Sequence, residues 1–256
     1  MRRRRLAALI LCLCFGMAAY GPGTLAEEQT AERLPDHTLM QFFEYSLFVG
    51  DSQIRNFGNQ IRRFRQDDPD YLPHVKFFGE YSFQMRMMTM RYASSDPEAI
   101  QLTYNGRDAS LTDIALAEHP RNIFILIGLN DLIFEHVDRA SRYIDKILAL
   151  RDEYFPETGI YSLSLTPVTD KWSEKTRDLI AEYNAWLEEK CSQVDATYIN
   201  ITAGLTDENG WLPKAITTDA DSHLNAEGFA IFINNLLDYA QECYETGLWT
   251  PETDAT

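Results

Sequence analysis

Ser46-Leu47-Phe48-Val49-Gly50-Asp51-Ser52-Gln53 decides how the rest of the chain is read. A short, mostly apolar run stops at a glycine, and a carboxylate, a hydroxyl and an amide follow at once. A run of this kind, bounded by a turn residue, predicts a strand buried on both faces. Four more runs repeat the pattern. His74-Val75-Lys76-Phe77-Phe78 stops at Gly79, and Asn122-Ile123-Phe124-Ile125-Leu126-Ile127 stops at Gly128. Ile160-Tyr161-Ser162-Leu163-Ser164-Leu165 stops at Thr166-Pro167, and Ala196-Thr197-Tyr198-Ile199-Asn200-Ile201 stops at Thr202.

The intervening segments carry helical periods. Ile133, Val137, Ala140, Ile144, Ile147 and Leu148 share a face over 131–152. Leu179, Ile180, Tyr183, Trp186 and Leu187 do so over 171–190, and Phe229, Phe232, Ile233, Leu236, Ala240 and Cys243 mark a last helix. Met85, Met87, Met88 and Met90 read as helix packing after the second strand rather than as a flexible binding surface. Alternating strands and helices predict right-handed crossovers and an α/β sandwich around a five-stranded parallel sheet. Residues 96–110 interrupt the alternation, and Asn105-Gly106 after the run 100–104 predicts a small hairpin insertion.

The composition is that of a globular protein: 256 residues, 45% apolar and 24% charged. Lys plus Arg is 23 and Asp plus Glu is 39, a net charge of −16. The first 26 residues hold four Arg and no acid, so 19 bases against 39 acids leave −20 beyond them. A surface this negative argues against nucleic acid and anionic lipid as partners. Arg2, Arg3, Arg4 and Arg5 precede an apolar run over 6–20, a Gly21-Pro22-Gly23 break and Ala26. That order predicts a secretory signal cleaved after Ala26, with an uncleaved anchor as the alternative. The expected organisation is a signal over 1–26, a flexible lead-in over 27–41, one domain over 42–245 and a tail over 246–256. The protein is expected outside the cytoplasm, with no stable membrane insertion after cleavage. Cys191 and Cys243 are too few for a disulfide framework and read as small buried residues or free thiols. No zinc spacing, dinucleotide fingerprint or phosphate-binding loop occurs, so no metal or cofactor is expected.

In open α/β sheets ligands bind beyond the carboxyl ends of the strands. Those ends carry Gly50-Asp51-Ser52-Gln53, Gly79-Glu80-Tyr81-Ser82 and Gly128-Leu129-Asn130-Asp131. The segment before the last helix carries Asp219-Ala220-Asp221-Ser222-His223-Leu224-Asn225. Each alone fits a turn or a helix cap. Together they supply what acyl transfer needs: a nucleophile, a base, a carboxylate to orient the base, and oxyanion donors. Ser52 is the candidate nucleophile and His223 the base. Asn130 and the N–H groups of Gly79 and Ser52 are the candidate oxyanion donors. Asp51 and Asp131 read as acids holding loop and helix start. His37, His74, His119 and His136 lie beside no acid at a strand end and read as structural or solvated.

These blocks, in this order, resemble the SGNH (GDSL-type) hydrolases. Ser52, Gly79, Asn130 and His223 match the letters of that family. Leu163-Ser164-Leu165-Thr166-Pro167-Val168, Tyr183-Asn184 and the run from His223 to Phe229 are similar to further family segments. The resemblance covers roughly 42–240. It implies a three-layer, flavodoxin-like α/β/α sandwich and a serine esterase acting on small acyl groups, O-acetyl esters of a carbohydrate by analogy with exported members. An acyltransferase using the same residues and a catalytically weak binding domain are the competing readings. The family places an Asp three residues before the His, where this chain has Ala220. Asp219, four before, is favoured to orient His223, and Asp221, two before, is its rival. The expected partner is a small-molecule or glycan ester.

Overall fold

The five apolar runs are strands, and all pair in parallel in the spatial order 76–79, 46–50, 122–126, 159–163 and 197–199. The computed structural model describes residues 32–90, 99–133 and 137–252. In chain order the elements are α1 (Asp36–Met40), β1 (Ser46–Gly50), α2 (Ser52–Asp67), β2 (Lys76–Gly79), α3 (Met85–Met88), β3 (Leu102–Tyr104) and β4 (Arg107–Ala109). There follow α4 (Leu111–Glu118), β5 (Asn122–Leu126), α5 (Leu129–Leu132), α6 (Val137–Tyr154), β6 (Gly159–Leu163), α7 (Glu174–Gln193), β7 (Thr197–Ile199) and α8 (Ala226–Glu245). The signal expected over 1–26 and the histidine at 136 lie outside the described residues. Among the described residues no helix is long and apolar enough to cross a membrane.

An aromatic row pins the register. Phe77, Phe48, Phe124 and Tyr161 are direct partners across four strands. Phe48 stacks on Phe124 and Phe124 on Tyr161, each at 4.7 Å between centroids. Side chains alternate between faces along a strand, so a slip of one residue would turn a ring to the opposite face. Phe57 of α2 and Phe229 and Phe232 of α8 close over the row. One helical group joins α1, α2 and α8, and a second joins α4, α6 and α7. The doubly wound order reverses between β1 and β5, which makes the ends of those strands the expected ligand crevice.

Gly50 closes the reversal point. A Cβ there would lie 1.9 Å from the Leu126 carbonyl oxygen and 2.7 Å from Ile54. No rotamer can relieve an overlap with backbone. Gly50→Ala is therefore expected to cost more than the about 1–3 kcal/mol of ordinary overpacking, read as a lowered urea midpoint; an unchanged midpoint would refute this account of the contact.

The expected insertion is the hairpin β3-β4, antiparallel, with Asn105 and Gly106 both left-handed at φ 50° and 77°. That pair is what a tight two-residue hairpin turn demands. Met85, Met87 and Met88 are buried core residues. Cys191 and Cys243 are buried and unpaired. The end of the lead-in departs from expectation. Residues 36–40 form α1 rather than loose chain, and Leu39, Met40, Phe42 and Phe43 are buried. Its polar residues hid a short apolar stretch that packs toward α8. Ile133 also departs from its expected inward face. It is exposed beyond α5 and lines the cavity described next.

Candidate active site

β1 delivers the first site residue. The strand ends at Gly50, and α2 starts two residues later with Ser52. Asp51 is the N-cap: its Oδ1 accepts from the Gln53 N–H at 3.0 Å. Asp51 is only 2% exposed. Burial pushes its carboxyl up to about 6, against the opposing pull of the Gln53 N–H and the charge of His223. A carboxyl raised in the fold stabilises most while protonated, below its ordinary value of 3.8, and that contribution is lost as pH rises through about 6. Asp51→Asn keeps a capping oxygen and removes the charge. At pH 7.5 the variant is expected to be more stable than the parent, by up to about 3 kcal/mol, with the gap closing towards pH 4. Urea melts at the two pH values check this, and a gap independent of pH would contradict it.

His223 comes from the loop before α8. Its Nε2 lies 2.9 Å from the Ser52 Oγ. Its Nδ1 lies 2.5 Å from Asp219 Oδ2. The other Asp219 oxygen accepts the N–H groups of Asp221, Ser222 and His223 at 2.9, 3.2 and 3.3 Å. Burial works to raise the Asp219 carboxyl, but the His223 imidazole and the N–H groups of Asp221 and His223 outweigh it and hold it below its ordinary value. The four-residue spacing fits because Ala220 is left-handed at φ 53°. The Thr218 N–H closes the loop on the His223 carbonyl at 2.8 Å. Asp221 faces elsewhere: its side chain accepts from the Trp172 indole, and its carbonyl from the Thr169 N–H at 2.8 Å.

Gln53 ties the two halves of the site together. It is 4% exposed, and its Nε2 donates to the Ser222 carbonyl at 2.6 Å and to Thr166 Oγ1 at 2.9 Å. The start of α2 is thereby fastened to the loop that carries His223.

Asn130 enters from β5, in the first turn of α5. Its Nδ2 donates to the Phe83 carbonyl at 3.1 Å, which leaves its second N–H available. Asp131 is buried, and both its oxygens accept from the Met85 N–H at 3.1 and 3.2 Å. It fastens the start of α3 beside Asn130.

A cavity of about 270 Å³ brings Ser52, His223, Asp219, Asp221 and Asn130 together. Gly79, expected among the oxyanion donors, is not among its lining residues. The Glu80 N–H reaches the Gly50 carbonyl of β1. Alternation along the strand then turns the Gly79 N–H away from β1. Gly79 is glycine for packing: a Cβ would meet the Arg55 N at 2.4 Å and the Asp51 carbonyl oxygen at 2.6 Å. Three residues on, Ser82 lines the cavity in the left-handed conformation at φ 55°. A left-handed position usually signals itself by a glycine, so a serine there left no mark in the sequence. Tyr81 and Trp172 also line the cavity. Of the other histidines, His74 stacks on Tyr45 at 4.9 Å and His119 ends α4, both away from the cavity.

The sequence model of the GDSL-like Lipase/Acylhydrolase family matches residues 48–231, a span from β1 into α8. No curated protein matches the chain. Among solved structures, a GDSL-like lipase from Bacteroides thetaiotaomicron is 15% identical with a TM-score of 0.55, covering 77% of this chain and 88% of that one. A catalytic mutant of Axe2, an acetylxylan esterase from Geobacillus stearothermophilus, is 16% identical with a TM-score of 0.54, covering 77% and 94%. At these identities the likeness is one of fold.

Proposed function

The chain belongs to the GDSL-like lipase and acylhydrolase family and is a carboxylic ester hydrolase, and from that premise we propose an exported serine esterase that removes small acyl groups, acetyl foremost, from a carbohydrate. The observation that carries the catalytic reading is the continuous relay from Ser52 through His223 to Asp219. Ser52 Oγ attacks the ester carbonyl while His223 Nε2 takes its proton. Asp219 holds Nδ1–H, fixes the tautomer and steadies the imidazolium. The oxyanion is met by the Ser52 N–H at the start of α2, the Asn130 amide and the Ser82 N–H, the last in the role the sequence suggested for Gly79. The imidazolium returns the proton to the departing alcohol. Water, deprotonated by His223, then attacks the acyl-enzyme and releases the acid.

A cavity of about 270 Å³ favours a short acyl group. The carbohydrate follows the description of the Geobacillus structure as an acetylxylan esterase, and export follows the basic and apolar start of the sequence. A fluorophosphonate probe is expected to label the peptide that contains Ser52, and aryl acetates to turn over faster than longer aryl esters. Absence of labelling would overturn the nucleophile, and a preference for long chains would overturn the acyl class.

A further inference from the structure

A second, larger cavity of about 610 Å³ lies between α2, the edge strand β2 and Thr103 of the hairpin. Arg55, Arg62, Arg65 and Lys76 line it, against one carboxylate, Glu80. Such a concentration of positive charge runs against a chain of net charge −16. Part of it is committed. Arg55 pairs with Glu80, and Lys76 Nζ lies 2.5 Å from Glu118. Arg65 donates to the carbonyls of Tyr71, Leu72 and Val75. Arg62 is exposed, and among the described residues its hydrogen bond is to the Asn59 side-chain oxygen. Among the described residues neither Arg62 nor Arg65 has a carboxylate partner. Gly79 lines this cavity too.

The cavity neighbours the Ser52 cleft. Positions 55, 59 and 62 fall on one face of α2, and the stripe begins three residues after Ser52. The Arg55 guanidinium sits over the Tyr81 ring at 4.7 Å from its centroid, and Tyr81 lines the cleft. Arg55 of the cavity and Tyr81 of the cleft are thus in direct contact. Arg62 lies ten helical steps beyond Ser52, about 15 Å along the axis. An anion held by Arg62 is too distant to belong to a small acyl group at Ser52. It must sit on a part of the substrate that extends along α2.

We propose that this basic cavity binds carboxylates of an acidic oligosaccharide whose acyl ester is presented to Ser52. The inference rests on the esterase reading above for the position of the ester, and on the cavity itself for the anion. Planar guanidinium groups match carboxylates in a two-pronged geometry. Only a local cluster opposes the negative surface, so a few carboxylates on a sugar chain are held where an extended polyphosphate is repelled.

The test is calorimetric binding of unesterified tetragalacturonate and neutral xylotetraose to the full protein at low salt. Tetragalacturonate is expected to bind more tightly. Arg62→Gln, at an exposed position, is expected to weaken it about tenfold, and Lys175→Gln, the same charge change on α7, to leave it unchanged. Equal affinity for the two oligosaccharides, or equal loss in both variants, overturns the proposal. Aryl acetate turnover by Lys175→Gln is expected to match the parent, because Lys175 lies on α7 and lines neither cavity. A protein that hydrolyses no ester but binds tetragalacturonate through Arg62 refutes the esterase reading while upholding the anion site. Ester hydrolysis without that binding does the reverse.

Discussion

Ser52→Ala is expected to lower hydrolysis of a short-chain aryl acetate by at least about 10⁴-fold. The oxygen removed is the one 2.9 Å from His223 Nε2. Without it His223 has no hydroxyl to deprotonate, and no acyl-enzyme can form. The residual rate would come from the oxyanion donors and from binding, which act on attacking water. The fold is expected to be unmoved. Ser52 opens α2 at the mouth of the cavity, alanine suits a helix, and the cap is supplied by Asp51. Steady-state kinetics beside a urea melt separates the two effects. Activity within tenfold of the parent, at unchanged stability, would remove Ser52 from the mechanism.

Asp219→Asn carries the second large effect, about 10⁴-fold in turnover by comparison with the same change in serine proteases. The amide oxygen can still accept from the N–H groups of Asp221, Ser222 and His223, so the loop keeps its shape. The change is at Nδ1. An amide N–H facing that nitrogen forces the proton onto Nε2, and the imidazole can no longer accept from Ser52. The charge that steadies the imidazolium is also lost. Asp221→Asn is expected to fall far short of this, because its carboxylate meets the Trp172 indole rather than His223. Parallel kinetics on the two variants decides the assignment: a larger loss for Asp221→Asn would reverse it.

The two carboxylates show how far a sequence carries such a site. Both lie within reach of His223 in sequence, and spacing alone left them open. Their separation depends on the left-handed Ala220 and on Trp172, which lies about fifty positions away in the chain. Gly79 shows the converse. A glycine at a strand end is conspicuous, yet its lack of a side chain is used to seat α2 against β2. The cavity position belongs to Ser82, whose backbone conformation no residue letter announced.

By itself, the sequence determined the five parallel strands, the hairpin and the blocks that meet at the strand ends. Apolar runs that stop at turn residues report burial and chain direction locally, and the order of elements then restricts how a parallel sheet can be wound. The tertiary structure alone decided which carboxylate faces His223, which backbone position lines the cleft, and that Arg55, Arg62 and Lys76 meet beside it. Those facts depend on side-chain direction and on contacts between residues far apart in the chain. Hydrophobic periodicity assigns faces within helices and strands, but it carries no information about side chains in loops or about contacts between distant residues.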